Sequence, residues 1–282
     1  MKKKTLCRLC GSKKSREKFN KNKYVVLKCL DCGFIYLNYQ PSLKDLKNFY
    51  QKDYFIDGIQ KMGYYDYLSE RETIIKNSQK RLGEIEGFIK PGRLLDIGCA
   101  CGFFLKTAST VWETSGVEIS PFAASWASNN LELNIFPGDL KEANFPSSHF
   151  EAVTCWDTIE HLTHPKETLL EIRRILKKGG ILALSTGDIG SFLAKISGVH
   201  WHLLNLPQHL SFFDKKRLTP LLENSGFRIL KIKNDGNWYS LPYLLFSLKT
   251  RSGGKIFSWL YEKIYQTSWG RKSLYLKIMI KN

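Results

Sequence analysis

The chain has 282 residues, is 43% hydrophobic and 13% aromatic, and carries 43 Lys and Arg against 26 Asp and Glu, a net charge of +17. That apolar content excludes a disordered basic tail, because the chain can bury a core, and the length suits one large domain or two smaller ones. The charge predicts an acidic partner: nucleic acid, an anionic membrane surface or an anionic substrate.

The charge is uneven along the chain. Residues 1–50 carry +10 and residues 191–282 carry +11, whereas residues 91–190 carry −4. A neutral or acidic core with basic ends is the expected layout. Lys2 to Lys4 are followed by Cys7, Arg8 and Cys10, where a signal peptide needs an apolar run. The longest apolar stretches, such as 241–248, fall short of the roughly 18 to 20 residues that span a bilayer. A cytoplasmic location is the resulting expectation.

Four of the seven cysteines form two CxxCG units, Cys7-Arg-Leu-Cys10-Gly and Cys29-Leu-Asp-Cys32-Gly, with 18 residues between Cys10 and Cys29. Two thiolates three positions apart in a tight turn grip one Zn²⁺, and two such turns complete a tetrahedral site. Cys7, Cys10, Cys29 and Cys32 are therefore expected to hold a structural zinc in a zinc-ribbon module over residues 1–45. A disulfide pairing is the competing reading, disfavoured by the lack of a secretory signal. So short a module buries little by itself, which gives the metal a use. Lys13, Lys14, Lys18, Lys21, Lys23 and Lys28 suit phosphates, or else face water on a rigid scaffold. The scaffold reading is preferred, since lysines at hairpin tips are ordinarily solvated.

Residues 46–90 read as a helical linker or lid. Ile74, Ile75, Leu82, Ile85 and Phe88 predict a helix over 70–89, ended by Pro91-Gly92. A buried strand over 93–97 then runs into a glycine turn. Further strands are predicted over 114–118, 133–136, 150–156 and 181–186, with helices over 121–130 and 164–176 and a turn at 177–180. Such alternation argues for an α/β fold, a parallel sheet with helices on both faces. Gly98 and Gly102 are expected to let a ligand approach the backbone, and the helix start after them favours a carboxylate or phosphate. A nicotinamide fingerprint fails there, because Ala100 and Phe103 stand where glycines should. Glu118 lies 22 residues after Asp96 at the end of the next strand, where a carboxylate accepts hydrogen bonds from both hydroxyls of a ribose.

With those residues in place, the sequence resembles class I S-adenosylmethionine-dependent methyltransferases, closely over 91–190 and more loosely over 208–233. The family's first motif appears as Asp96, Gly98, Ala100 and Gly102, with Ala100 replacing the middle glycine. Its ribose acid matches Glu118, its adenine-side acid matches Asp139 in Pro-Gly-Asp-Leu, and its fourth motif matches the stretch from Phe150 through Asp157 to Glu160 and His161. The fifth begins at Leu176. The resemblance implies a Rossmann-like seven-stranded sheet, with a core over 91–235 and a final strand over 273–282. It implies S-adenosylmethionine as cofactor, held by Asp96, Gly98, Ala100, Gly102, Glu118, Ile119, Asp139, Leu140, Trp156 and Asp157. The ribbon, Pro41 and the stretch Pro207-Gln-His209-Leu-Ser-Phe-Phe also resemble a bacterial subgroup that includes enzymes acting on deoxysugars.

The cofactor's sulfonium already activates its methyl group, so the protein must align the acceptor and remove a proton from a poor nucleophile. Glu160, His161 and His209 are the candidates, at the carboxyl edge of the sheet. His161 suits a general base; its rival reading is a pocket-lining or backbone-bonded histidine. His209 is equally a satisfied buried histidine. His164, His200 and His202 are lesser candidates, and Tyr50, Tyr54, Tyr64 and Tyr65 either cover the cofactor or pack as core. Amino-group methylation of bases would show an Asp/Asn-Pro-Pro-Tyr/Phe motif where this chain has Asp157-Thr-Ile-Glu160, and Cys155 lies inside a strand, not in a Pro-Cys setting. Both absences favour a small-molecule or glycan acceptor, an anionic nucleotide- or lipid-linked sugar among them, over RNA. A non-catalytic binding protein is the third reading.

A sixth strand is predicted over 227–233 and a seventh over 273–281, where Leu274, Leu276, Ile278 and Ile280 alternate. Between them, residues 236–272 form an aromatic and basic insertion. Residues 254–266 suit an amphipathic helix that either lies on an anionic membrane, giving peripheral contact, or packs as a lid.

Overall fold

The computed structural model describes residues 5–56, 66–233, 238–240 and 275–276. Strands β1 (Ser15–Lys21) and β2 (Tyr24–Cys29) form a hairpin whose turn residue Asn22 has φ +56°, a backbone region that asparagine tolerates. Strand β3 (Ile35–Leu37) pairs antiparallel with β2. Helix α1 (Leu43–Phe49) starts on a reciprocal cap: the Ser42 side chain accepts from the Asp45 amide and Asp45 accepts from the Ser42 amide. Helix α2 (Lys52–Ile56) and helix α3 (Arg71–Glu86) follow, the latter inside the predicted 70–89.

The central run is β4 (Arg93–Ile97), α4 (Phe103–Ala108), β5 (Glu113–Glu118), α5 (Pro121–Leu131), β6 (Ile135–Pro137), β7 (Phe150–Trp156), α6 (Pro165–Ile175) and β8 (Leu176–Ser185). All pairings are parallel, in the order β6-β5-β4-β7-β8. Leu94, Leu95, Val153 and Cys155 are buried, as a sheet covered on both faces requires. The strand order reverses between β4 and β7, so the crevice at their carboxyl ends is the place for a ligand. The predicted turn at 177–180 is instead the bulged start of β8: pairing shifts register after Phe150, and Gly179 takes φ +80°.

After α7 (Phe192–Ser197), strand β9 (Ser211–Phe212) leaves the parallel sheet and joins the first one. Ile35 pairs with Phe212 and Tyr36 with Ser211, antiparallel. Helix α8 (Lys215–Asn224) then lays the Arg217 guanidinium over Gly33. One hydrophobic cluster joins Cys7, Leu27, Cys29, Phe34 and Tyr36 to Leu95, Ile97, Val153 and Phe213. The cysteine-rich segment therefore shares its core with the parallel sheet.

The predicted sixth strand is not formed. Residues 227–233 have no ladder partner among the described residues, Leu230 and Ile232 are 49% and 45% exposed, and Lys231 and Lys233 turn to Glu84. The alternating pattern there has no second face to bury. Strand β11 (Tyr275–Leu276) pairs antiparallel with β10 (Tyr239–Ser240) in a separate two-stranded sheet and not with the parallel one. The main sheet thus has five strands among the described residues, against seven expected. Leu274, Ile278 and Ile280, the insertion beyond Ser240, and Tyr64 and Tyr65 lie outside the described residues. No described helix is long and apolar enough to cross a membrane.

Phe34 and Phe213 are 0% and 1% exposed with ring centroids 5.2 Å apart, joining the two sheets. Phe213→Ala should lower the unfolding free energy by about 3–5 kcal/mol in urea titrations. Combined with Phe34→Ala, the loss should be smaller than the sum, because the two share one contact; strict additivity would contradict the shared core.

Candidate functional site

The site starts where β4 ends. Asp96 is 3% exposed, and burial lifts its carboxyl to about 7 against the opposing pull of the Thr154 hydroxyl, which donates to it at 2.6 Å, and of the Arg81 charge. The chain then turns through three left-handed residues: Gly98 (φ +71°), Ala100 (+49°) and Gly102 (+77°). A Cβ on Gly98 would meet the Thr158 side chain at 2.6 Å, so this close approach is reserved for glycine. At Gly102 it would meet Leu133 at 2.5 Å, and Gly102 does not line the cavity. Its smallness serves packing against α5, where a Cβ would also meet Ala127 at 3.1 Å.

Glu118 ends β5, buried, with both oxygens held: one accepts the Ala100 amide and the other the Ser120 amide, each at 2.8 Å. Burial pushes its pKa up, and these amides oppose the rise. Ser120 in turn caps α5 by accepting from the Ala123 amide. Ile119 lines the same cavity. Asp139 and Glu142 cap each other's amides at 2.8 and 3.1 Å, with Leu140 buried beside them. Trp156 closes β7, its indole Nε1 buried without a partner. Asp157 sits at φ +49° and accepts from the Ser185 hydroxyl at 2.8 Å.

Glu160 and His161 fall in a single turn of 3₁₀-helix, Ile159–His161. Burial, reinforced by Asp157, pushes the Glu160 carboxyl up to about 8, and its Oε2 is buried without a partner. Burial pushes His161 down to about 4 and His209 down to about 3. Their rings meet edge to face with centroids 4.7 Å apart. His209 Nδ1 donates to the Leu203 carbonyl at 2.8 Å. The His161 ring bonds the Gln208 backbone, and its Nδ1 lies 2.8 Å from the Tyr50 hydroxyl. One nitrogen of a neutral imidazole carries the proton, and Gln208 favours it on the other one, so Tyr50 donates to Nδ1.

Every predicted catalytic and cofactor-binding residue except Gly102 lines one cavity of about 1100 Å³. Pockets for single drug-sized ligands run about 300–1,000 Å³, so this one accommodates a cofactor with a small second molecule. Tyr54, His164 and His202 also line it; His200 does not. Sequence reasoning passed over Arg81, Thr154 and Thr158. The signal for Arg81 was available: Glu70, Thr73, Asn77, Ser78 and Arg81 follow helical spacing along α3 and face the cavity.

The four N-terminal cysteines also converge. Cys7 and Cys32 sulfurs are 3.5 Å apart, Cys10 and Cys29 sulfurs 3.6 Å, and all four lie within 4.8 Å of one another. A tetrahedron of ~2.3 Å Zn–S bonds has edges of roughly 3.8 Å, so the donor set fits such an ion. Gly11 and Gly33 both take φ +72°, making the two cysteine turns alike.

A family described as a methyltransferase domain matches residues 67–232. The ubiquinone biosynthesis O-methyltransferase of Azoarcus sp. is 24% identical over 185 residues, 60% of this chain and 79% of that protein. The O-methyltransferase rstn1 of Aspergillus nomiae is 24% identical over 216 residues, 71% of this chain and 90% of that one. Among solved structures, a SAM-dependent methyltransferase from Archaeoglobus fulgidus matches with a TM-score of 0.50 and 23% identity, covering 58% of this chain and 72% of that one. The YcgJ protein from Bacillus subtilis matches at 0.52 and 17% identity, covering 67% and 85%. Both share the fold.

Thr154→Val removes the hydrogen bond that favours the charged form of Asp96. The carboxyl should then titrate above about 7 in carbon-detected NMR. A titration in the ordinary carboxylate range near 4 would contradict the burial described.

Proposed function

The chain belongs to the methyltransferase-domain family and is an S-adenosylmethionine-dependent methyltransferase, and from that premise we propose that it methylates a hydroxyl of a small-molecule acceptor. The observation that carries the reading is the single cavity, which runs from Gly98 and Glu118 to Tyr50, His161 and His209. S-Adenosylmethionine supplies an activated methyl on a sulfonium. The residues supply position and proton handling. Glu118, preset by two amides, retains lone pairs for ribose hydroxyls, and Asp139 flanks the adenine end beside Ile119 and Leu140. Gly98 and Ala100 provide backbone with little side chain in the way.

At the other end, neutral His161 draws on the Tyr50 hydroxyl. That arrangement makes the phenolic oxygen the acceptor for a substrate hydroxyl proton, with His161 behind it as base and His209 packed against His161 to fix its ring. Small-molecule O-methylation agrees with the names of the Azoarcus and Aspergillus relatives. A glycan acceptor fits the same proton chemistry. Its expected anionic character rests on the basic charge of residues 191–282, part of which lies outside the described residues, and in the cavity Arg174 is engaged by Glu171 at 2.6 Å. We assign zinc to the four cysteines, and a scaffold role to the module they close. The strand pairing of β3 with β9 and the bond from Arg8 to the Thr163 carbonyl at 2.8 Å support that role over RNA binding.

Calorimetry with S-adenosylmethionine tests the premise, and a wild type that does not bind it overturns the reading. Glu118→Ala should weaken binding roughly 10- to 100-fold, as expected for hydrogen bonds to a charged group. His161→Ala should lower turnover by about 10²–10⁴ with cofactor affinity kept. Because His161 gains its proton only near pH 4, kcat/KM should stay level as pH falls through 6.5 and drop only toward 4. A limb at 6.5 would remove His161 from the base role.

A further inference from the structure

Among the described residues, the two most exposed large apolar side chains sit on one short helix: on α7, Phe192 is 78% exposed and Ile196 65%. Four positions apart, they share one face. Ala194, at 4%, looks the other way, into a cluster with Val26, Leu37, Trp201 and Phe212. The helix is thus held on the first sheet by its small residue and turns its large ones to water. Single exposed leucines need no explanation, but a neighbouring Phe and Ile left this open mark a contact surface.

The side chains beside that face decide the partner. Strand β1 runs along the 3₁₀ turn Gly198–His200 that follows α7, and Lys21 donates to the Leu204 carbonyl at 3.2 Å. Tyr24 and Val26 belong to the cluster under α7, so Lys28, next in the strand's alternation, faces the same side of the sheet. Arg16 stands opposite Lys28 in the ladder and shares that side. Lys23 at the hairpin turn and Lys195 on α7 are exposed. No carboxylate pairs with Arg16, Lys23, Lys28 or Lys195 among the described residues. Residues 13–28 hold seven Lys or Arg against one acid, Glu17, so the hairpin carries charge with little to neutralise it.

A nucleic acid would take the cations and leave Phe192 and Ile196 in water. A leaflet with acidic headgroups takes both, the cations at the headgroups and the apolar side chains at the acyl boundary. We propose that α7 and the β1–β2 hairpin dock this protein on an anionic membrane surface. Gly187 before α7, and His202 and Leu203 after it, line the cleft, so docking brings the rim of the cleft to the leaflet. This face is distinct from the 254–266 segment that the sequence offers for membrane contact, and the proposal stands independently of the cofactor reading above.

The test floats the full chain with two kinds of vesicle, phosphatidylcholine alone and phosphatidylcholine with phosphatidylglycerol in equal parts. Wild type should partition onto the anionic vesicles, and added salt should weaken the association. Phe192→Ser combined with Ile196→Ser should lower the partition coefficient roughly tenfold or more, because two apolar side chains no longer leave water. Arg16→Glu combined with Lys23→Glu should lower it roughly fivefold or more for each residue changed. Urea unfolding that matches wild type certifies the fold of each variant, and Phe192→Ala alone serves should a double variant not fold. Amides 192–200 should exchange more slowly in the presence of the anionic vesicles. Wild type that stays off those vesicles, or partitioning that the Phe192 and Ile196 changes leave intact, overturns the proposal. So does a self-association of wild type that the same changes abolish, which would assign the face to a second copy of the chain.

Discussion

The peptide of Leu210 is the joint on which the site depends. Its N–H donates to the Glu160 carbonyl at 2.8 Å and its C=O accepts from the Leu37 amide at 2.9 Å. Leu210 is 1% exposed, so neither bond has water as a substitute. Each adds only about 1 kcal/mol when made, but leaving either unmade costs roughly 1–3 kcal/mol. The register of β9 on β3 is fixed accordingly, because a slip by one residue would turn His209 and Ser211 to the opposite face. Arg8 adds a second tie by donating to the Thr163 carbonyl just beyond His161, with burial pushing its guanidinium down to about 10. The cysteine-rich module, more than a hundred residues away in sequence, is thus tied to the loops that carry Glu160, His161 and His209. No described residue before Leu43 lines the cavity, so the cysteine-rich module supports these loops from outside it.

Burial acts on this cleft in two directions at once. It raises the acids Asp96 and Glu160 and lowers the bases His161 and His209, because in each case it disfavours the charged form. The consequence is that near pH 7 both histidines are neutral and Glu160 is largely so, while Asp96 stands close to its midpoint. Neutral histidine is the form a base requires. Two polar atoms in the pocket wall, Trp156 Nε1 and Glu160 Oε2, are buried without partners.

The legible parts of the fold were local. Strand β4, the turn after it and Glu118 at the end of β5 lie within a few dozen residues, and short buried runs ending in glycine announce them. The cysteine cluster was legible because its two CxxCG units repeat one short spacing, and the four sulfurs converge. What escaped were features decided at long range. Nothing in Ser211-Phe212 reveals that Tyr36 and Ile35 are its partners. Residues 227–233 carry a strand's alternation but find no second layer. Gly102 reads as a ligand glycine, yet Leu133 occupies the space beside it. Arg81 was hidden because an amphipathic helix is read by its apolar stripe, whereas the cavity receives its polar one.

Ala100 shows how far the cleft is formed before anything binds. An alanine at φ +49° pays about 1 kcal/mol or more that glycine would not. In return that conformation aims its amide at Glu118, and a hydrogen bond to a buried carboxylate is worth about 1.5–3 kcal/mol. The sum favours the strained turn. The side chain that departs from the family pattern therefore does not loosen the cleft: the Cβ narrows the choice of backbone conformations, and Glu118 holds the one that remains. Under the proposed cofactor binding, a carboxylate fixed this way, with Ser120 on its other oxygen, would meet a ribose without reorganising, so the affinity gained there would not go into ordering the loop.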